Sequence, residues 1–149
     1  MNAAVNAFFL ILKLLSLYFL VVSLFSLCKR KMQKSSTTQR RFAVLIAARN
    51  EESCIAGLIE SLLAQNYPSE LFDIWVLPNN CTDHTADAAR HAGGKVLEMP
   101  TSIHSKGAAL QYAANTLLHG SRYYDAFCVF DADNEVDPAF LSEMNQALS

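Results

Sequence analysis

Two aspartates one residue apart, Asp131 and Asp133, stand directly behind the apolar run Phe127-Cys128-Val129-Phe130. Two carboxylates delivered to the open end of a buried strand make a hard-oxygen site suited to Mg²⁺ or Mn²⁺. A divalent ion held there suits a substrate that carries a diphosphate. Other polar residues gather behind two further apolar runs. Arg49, Asn50 and Glu51 follow the run Phe42 to Ala48, and Asn79 and Asn80 follow the run Phe72 to Leu77. Lys106 opens a helical pattern between these and the acidic pair. The histidines His84, His91, His104 and His119 share no ligand spacing, and neither do Cys28, Cys54, Cys81 and Cys128. The cysteines read as isolated thiols of a reducing compartment, with Cys54 and Cys128 inert on apolar faces.

Positioning these residues takes strands that alternate with helices. The continuous apolar run 42–48 suits a strand buried on both faces of a parallel sheet. Asn50 is placed to cap the next helix, with Glu51 and Glu52 in its first turn. Ile55, Leu58, Ile59, Leu62 and Leu63 form its apolar stripe. A second strand covers 72–77. Thr82 is placed to cap a helix running to about His91, stopped by Gly93-Gly94. A short third strand covers 95–99, a helix starts at Lys106, and a fourth strand covers 126–130. Asp137-Pro138 reads as cap and first helical residue of a last helix with Phe140, Leu141, Met144 and Leu148 on one face. Strand-helix alternation of this kind predicts an α/β fold, a mostly parallel sheet with helices on both faces. Ligands of such sheets bind at the carboxyl ends of the strands, where strand order reverses. The polar turns after strands one, two and four fall there.

The first 41 residues read differently. Residues 7–28 are apolar apart from Lys13 and a few hydroxyls, long enough to cross a bilayer. Lys13 reads as lying near the outer end, where its stem snorkels. A cleaved signal peptide fits less well, because the run is long and no basic residue precedes it. Lys29, Arg30, Lys31, Lys34, Arg40 and Arg41 follow it, around a polar linker at 33–39. The positive-inside rule then predicts a single-pass anchor in the cell's inner membrane, with the C-terminal domain cytoplasmic. The division expected is therefore an anchor and basic linker over 1–41 and one small domain over 42–149. A net charge of −2 suggests no nucleic-acid partner.

Four pieces in this order resemble a family 2 glycosyltransferase of the GT-A, Rossmann-like fold. They are Ala47-Ala48-Arg49-Asn50-Glu51-Glu52, Asn79-Asn80-Cys81-Thr82-Asp83-His84-Thr85, Ser105-Lys106-Gly107-Ala108-Ala109-Leu110 and Asp131-Ala132-Asp133-Asn134. The resemblance implies a nucleotide-sugar donor, a divalent metal (Mg²⁺ or Mn²⁺), and a polysaccharide or lipid acceptor at the membrane. It implies that Ala48, Arg49 and Glu51 hold the uracil and ribose and that Lys106 lies near the diphosphate. Asp131 would face ribose and metal, and Asp133 the metal itself. Asn79 stands where the family has a base-reading aspartate, which loosens the expectation of uridine. An acceptor hydroxyl would invert the anomeric carbon with help from a carboxylate base expected beyond Ser149. The chain thus resembles the truncated, donor-binding half of such an enzyme. Two other readings remain at this stage. One is a non-catalytic membrane protein that binds a nucleotide-sugar. The other is a phosphatase of the haloacid dehalogenase type, whose DxD strand normally opens the domain.

Overall fold

A computed structural model of the protein describes residues 3–27 and 38–148. The chain divides into two compact units, Met1–Gln33 and Lys34–Ser149. Within the first, α1 (Ala3–Leu27) is one helix of 25 residues. Its stretch Val5–Phe25 is long and apolar enough to cross a membrane. Lys13 does not lie near its end as expected. It is two residues from Leu15, the midpoint of α1, or about 3 Å along the axis. Cys28, Lys29, Arg30, Lys31 and Lys34 lie outside the described residues.

In the second unit the elements are β1 (Phe42–Ala48), α2 (Ile55–Leu63), β2 (Phe72–Pro78), α3 (Thr85–His91), β3 (Lys95–Val96), α4 (Lys106–Leu118), β4 (Ala126–Asp131) and α5 (Phe140–Ala147). The four strands form one sheet in the order β3-β2-β1-β4, and every pairing is parallel. β1 is central, and all of it except Ala47 is buried, which is why its sequence is apolar without alternation. Its side chains feed two cores. Phe42, Val44 and Ile46 pack with α2, with Ala89 of α3 and with Leu141 of α5. Ala43 and Leu45 pack with Ala113 and Leu117 of α4 on the opposite face. Helices therefore cover both faces, as the alternating pattern requires.

Several local expectations are corrected. The α2 stripe lacks Leu63, which is 52 % exposed. α2 begins after Cys54, so Glu51 and Glu52 precede its first turn. β3 is two residues long rather than five. α5 begins after Ala139, so Pro138 is not its first residue. Asp137 instead accepts a hydrogen bond from Ala139 N at 2.8 Å, one turn earlier. Leu148, just past the end of α5, is exposed, while Asn145 on α5 is buried. Asn145 earns that place by bonding backbone and side chains far away: its Oδ1 accepts from Arg40 N at 3.0 Å and from Tyr67 Oη at 3.2 Å. The pair Gly93-Gly94 does stop α3. Gly93 has φ +97°, and a Cβ on Gly94 would meet Ile59 Cδ1 at 3.0 Å and Ala89 O at 3.2 Å.

Candidate functional site

Parallel pairing aligns the carboxyl ends of three strands. Ala48 is level with Pro78, and Ala47 with Asp131. The strand order reverses between β1 and β4, so a crevice opens where β1 hands over to Arg49 and β4 ends at Asp131. All the sequence-selected turns start from this edge.

The turns after β1 and β2 are laced together. Asn50 has φ +60° and Asn80 has φ +53°, left-handed positions that asparagine tolerates better than most residues. Asn50 does not cap α2. Its Oδ1 accepts from Thr82 N at 2.8 Å, so the first turn holds the second. Thr82, in turn, does not cap α3. That region is closed by Asp83, whose Oδ1 accepts from Thr85 N at 3.1 Å and from Thr85 Oγ1 at 2.5 Å. The Thr85 hydroxyl, chiefly, holds the Asp83 carboxyl below its usual range. Thr85 Oγ1 also accepts from Glu51 N at 2.9 Å, and Asp83 Oδ2 from Glu52 N at 3.2 Å. Asn79 N donates to Ala48 O at 2.9 Å. Asn79 is buried while Arg49 is exposed. Asn80 Nδ2 reaches further, donating to Asn79 Oδ1 at 2.8 Å and to Ile103 O at 2.7 Å. The loop before α4 is thereby tied to the same rim.

Lys106 begins α4, whose N-cap Ser105 accepts from Ala108 N at 3.2 Å. Lys106 Nζ forms an ion pair with Asp131 Oδ1. Beyond Asp131 the chain turns at once, Asn134 N donating to Asp131 O at 3.2 Å. Asp133 therefore takes different neighbours from Asp131. It lines an open pocket of about 470 Å³ with Cys54, Glu60, Ser61, Asn134 and Glu135. That loop is pinned to α2: Val136 N donates to Ser61 Oγ at 3.2 Å, and Gln65 Nε2 to Asp137 O at 2.8 Å.

The cysteines part company. Cys128 is buried in the core, and desolvation raises its thiol from 9.0 to about 11. Cys54 is not a buried core thiol. It is half-buried at the pocket edge, and its Sγ–H donates to Glu51 Oε2 at 3.0 Å. That bond to a carboxylate, more than burial, pushes its pKa up.

Sequence reasoning thus picked the residues of the rim but missed its lacing. The signal available was Asp83-x-Thr85, two short polar side chains able to bond local backbone. Nothing in the sequence indicated that Asn50 would reach Thr82.

A parallel α/β sheet with polar turns at its reversal point is an architecture that holds ligands in the crevice at the carboxyl ends of its strands. The sequence model of glycosyl transferase family 2 matches residues 43–149. The chain belongs to that family. Its fold is similar to the mannosyltransferase PcManGT from Pyrobaculum calidifontis, solved with GDP-Man and Mn²⁺: TM-score 0.73 and 22 % identity over 89 % of this chain and 39 % of the other. It is also similar to glucosyl-3-phosphoglycerate synthase from Mycobacterium tuberculosis, solved with Mn²⁺ and UDP: TM-score 0.53 and 24 % identity, over 68 % of this chain and 37 % of that one. In sequence it is 40 % identical over 43 residues to a beta-monoglucosyldiacylglycerol synthase of Nostoc sp., covering 29 % of this chain and 9 % of the relative. The chain thus spans about a tenth of the curated relative's length and under two fifths of these solved relatives.

Proposed function

We propose that this chain is the donor-binding part of a membrane-associated, inverting glycosyltransferase that uses a nucleotide-diphospho-sugar. The division into an anchor with basic linker, 1–41, and a donor domain, 42–149, belongs to the same reading. The observation that carries it is Asp131 and Asp133 at the reversal point of the sheet, beside turns laced into one rim.

The donor set fits a hard divalent ion. Both carboxylates are exposed, and Asp131 already neutralises an ammonium. Among the described residues no group of three or more acids, cysteines or histidines is arranged to hold a metal. Two carboxylates with remaining oxygens from phosphate and water is how Mg²⁺ and Mn²⁺ are commonly held. Asp131 and Asp133 would hold the ion, which would neutralise the departing nucleoside diphosphate. Mn²⁺ in both solved relatives supports a divalent metal.

The chain's own residues then have distinct tasks. The Ala48 carbonyl and buried Asn79 form a fixed floor, with Arg49 and Glu51 at its edge, for base and ribose. Asn79 offers both a donor and an acceptor, which suits the amide edge of a uracil. Lys106 would leave Asp131 and meet the diphosphate as a point charge. The name of the Nostoc relative points to a lipid acceptor, and α1 would bring the site to the bilayer where such an acceptor lies. The orientation follows from the basic residues after α1, with the second unit cytoplasmic.

The test is calorimetry on the full chain in detergent micelles, with UDP-sugars and GDP-mannose, with and without Mn²⁺. Mn²⁺-dependent binding of a UDP-sugar is expected. Preference for GDP-mannose would overturn the uridine assignment, and no binding to either would overturn the donor site. Binding without transfer to diacylglycerol or glycan acceptors would leave a nucleotide-sugar-binding protein.

A further inference from the structure

Asn79 directly follows β2 and has little freedom. The residue is 7 % exposed, and its backbone N–H donates to Ala48 O at 2.9 Å. Its side chain ends in two chemically opposite groups, the acceptor Oδ1 and the donor Nδ2. A half-turn about the Cβ–Cγ bond exchanges them. An untethered amide would therefore suit bases of either kind, turning its donor to a carbonyl or its acceptor to an amine. This chain holds the amide in one of the two states.

The hold comes from Asn80, and a backbone group fixes its sense. The Asn80 side-chain atom that lies 2.7 Å from Ile103 O is the nitrogen, because a peptide carbonyl only accepts. The same atom lies 2.8 Å from the Asn79 side chain. Its two hydrogens go to these two acceptors, with His104 Nδ1 a longer contact at 3.4 Å. The Asn79 atom that receives one of them is therefore Oδ1. A flipped Asn79 would set one amide donor against another. The end left over is Asn79 Nδ2, which among the described residues has no hydrogen-bond partner. The one side-chain polar atom among those residues that is sealed from solvent without a hydrogen bond is Arg122 Nε, so Asn79 Nδ2 stays open to solvent.

We propose that Asn80 is a positioning residue that locks Asn79 as a hydrogen-bond donor. The rim then selects a nucleotide whose base carries a carbonyl over one that carries an amine at the same place. Uracil presents an oxygen at C4. Cytosine presents an amine there, which would face another donor and leave both unpaired. The exocyclic group decides because it projects beyond the ring and is what a recessed amide meets first. This rests on the proposed placement of the base at Asn79.

Calorimetry on the full chain in detergent micelles with Mn²⁺ compares UDP with CDP, in wild type, Asn80→Gly and Asn80→Asp. Glycine and aspartate both tolerate the φ of +53° at this position. Wild type should bind UDP about tenfold more tightly than CDP, the scale of one hydrogen bond against an unpaired donor. Asn80→Gly frees the amide, and the two affinities should converge. Asn80→Asp puts an acceptor where the donor was. Asn79 then turns its NH₂ to that carboxylate and offers Oδ1 to the base, so the preference should pass to CDP. A merely structural Asn80 would lower both affinities together and leave their ratio unchanged. A ratio that both variants leave unchanged, or equal binding of UDP and CDP by wild type, overturns this proposal alone. Binding of neither nucleotide by wild type overturns the nucleotide site as well.

Discussion

Lys106 and Asp131 form an ion pair across the crevice, joining the first residue of α4 to the last of β4. Both side chains are more than half exposed, 51 % and 60 %. Such a pair adds little to folding, because solvent screens it. Its significance is positional: an ammonium occupies the carboxylate that a metal ion would take. Lys106→Ala should therefore change stability by less than about 1 kcal/mol. Mn²⁺ alone should bind at least as well, since Asp131 is freed. Binding of a UDP-sugar with Mn²⁺ should weaken about tenfold, the worth of one charge-assisted contact. Calorimetry with each ligand, beside a thermal melt, separates the two effects.

Among the described residues Asp133 has no such competitor. Asp133→Ala and Asp133→Asn should both remove the Mn²⁺-dependent component of nucleotide binding and leave the melting temperature unchanged, because the side chain is exposed. Unchanged Mn²⁺ dependence in the alanine variant would sink the metal role.

The lacing of the rim makes a prediction about Asn50. Asn50→Ala loses the bond to Thr82 N and places a Cβ-bearing residue without local compensation at φ +60°. It should cost about 1–2 kcal/mol in denaturant unfolding. Asn50→Gly keeps the left-handed turn and should cost less. The glycine variant should still lose nucleotide affinity, because the two turns are no longer tied. Equal stability of the two variants would show that the turn conformation carries no strain.

At the opposite end of the sheet Asp73 is buried, with Lys95 Nζ at 2.7 Å and Tyr124 Oη donating at 2.7 Å. Arg122 Nε lies 3.0 Å away. Burial works to raise its pKa, but Lys95, Tyr124 and Arg122 together outweigh it, and the carboxyl titrates below 3.8. A depressed pKa means stability present above the unfolded value and lost as pH falls through the folded one. Asp73→Asn should cost about 2–3 kcal/mol at pH 7. The gap from wild type should hold down to about pH 4 and close below it. A gap that widens on acidification would contradict the assignment.

Cys128, at about 11, should stay protonated at pH 8 and resist iodoacetamide until the protein unfolds. Cys81, half-buried in the rim, should alkylate first. Mass spectrometry of the modified peptides reads the order, and nucleotide with Mn²⁺ should slow the Cys81 reaction.

The apolar run of β1 suits a doubly buried strand, and its neighbours followed from strand-helix alternation. Polar residues at three strand ends could only gather on one edge once all strands ran parallel. Fold, rim and acidic pair were legible for that reason. Among the parts read wrongly were polar side chains assigned to their nearest element: Asn50 and Thr82 as caps, and Cys54 as core. A short polar side chain satisfies its bonds with whatever donor the fold brings near. For Asn50 that donor is 32 residues away.

By itself, then, the sequence determined the periodicities: one membrane-length apolar helix, the buried strands, and the identity of the residues at their ends. Hydrophobic burial follows mainly from residue type and spacing, so these elements needed no coordinates, although Leu63, Leu148 and Asn145 depart from it. Only the tertiary structure decided who bonds to whom. It placed Lys106 on Asp131, 25 residues apart, Thr85 under Glu51, and Asp133 beside α2. Directional bonds between distant residues depend on where a twisted sheet and its helices bring them, and no local pattern encodes that.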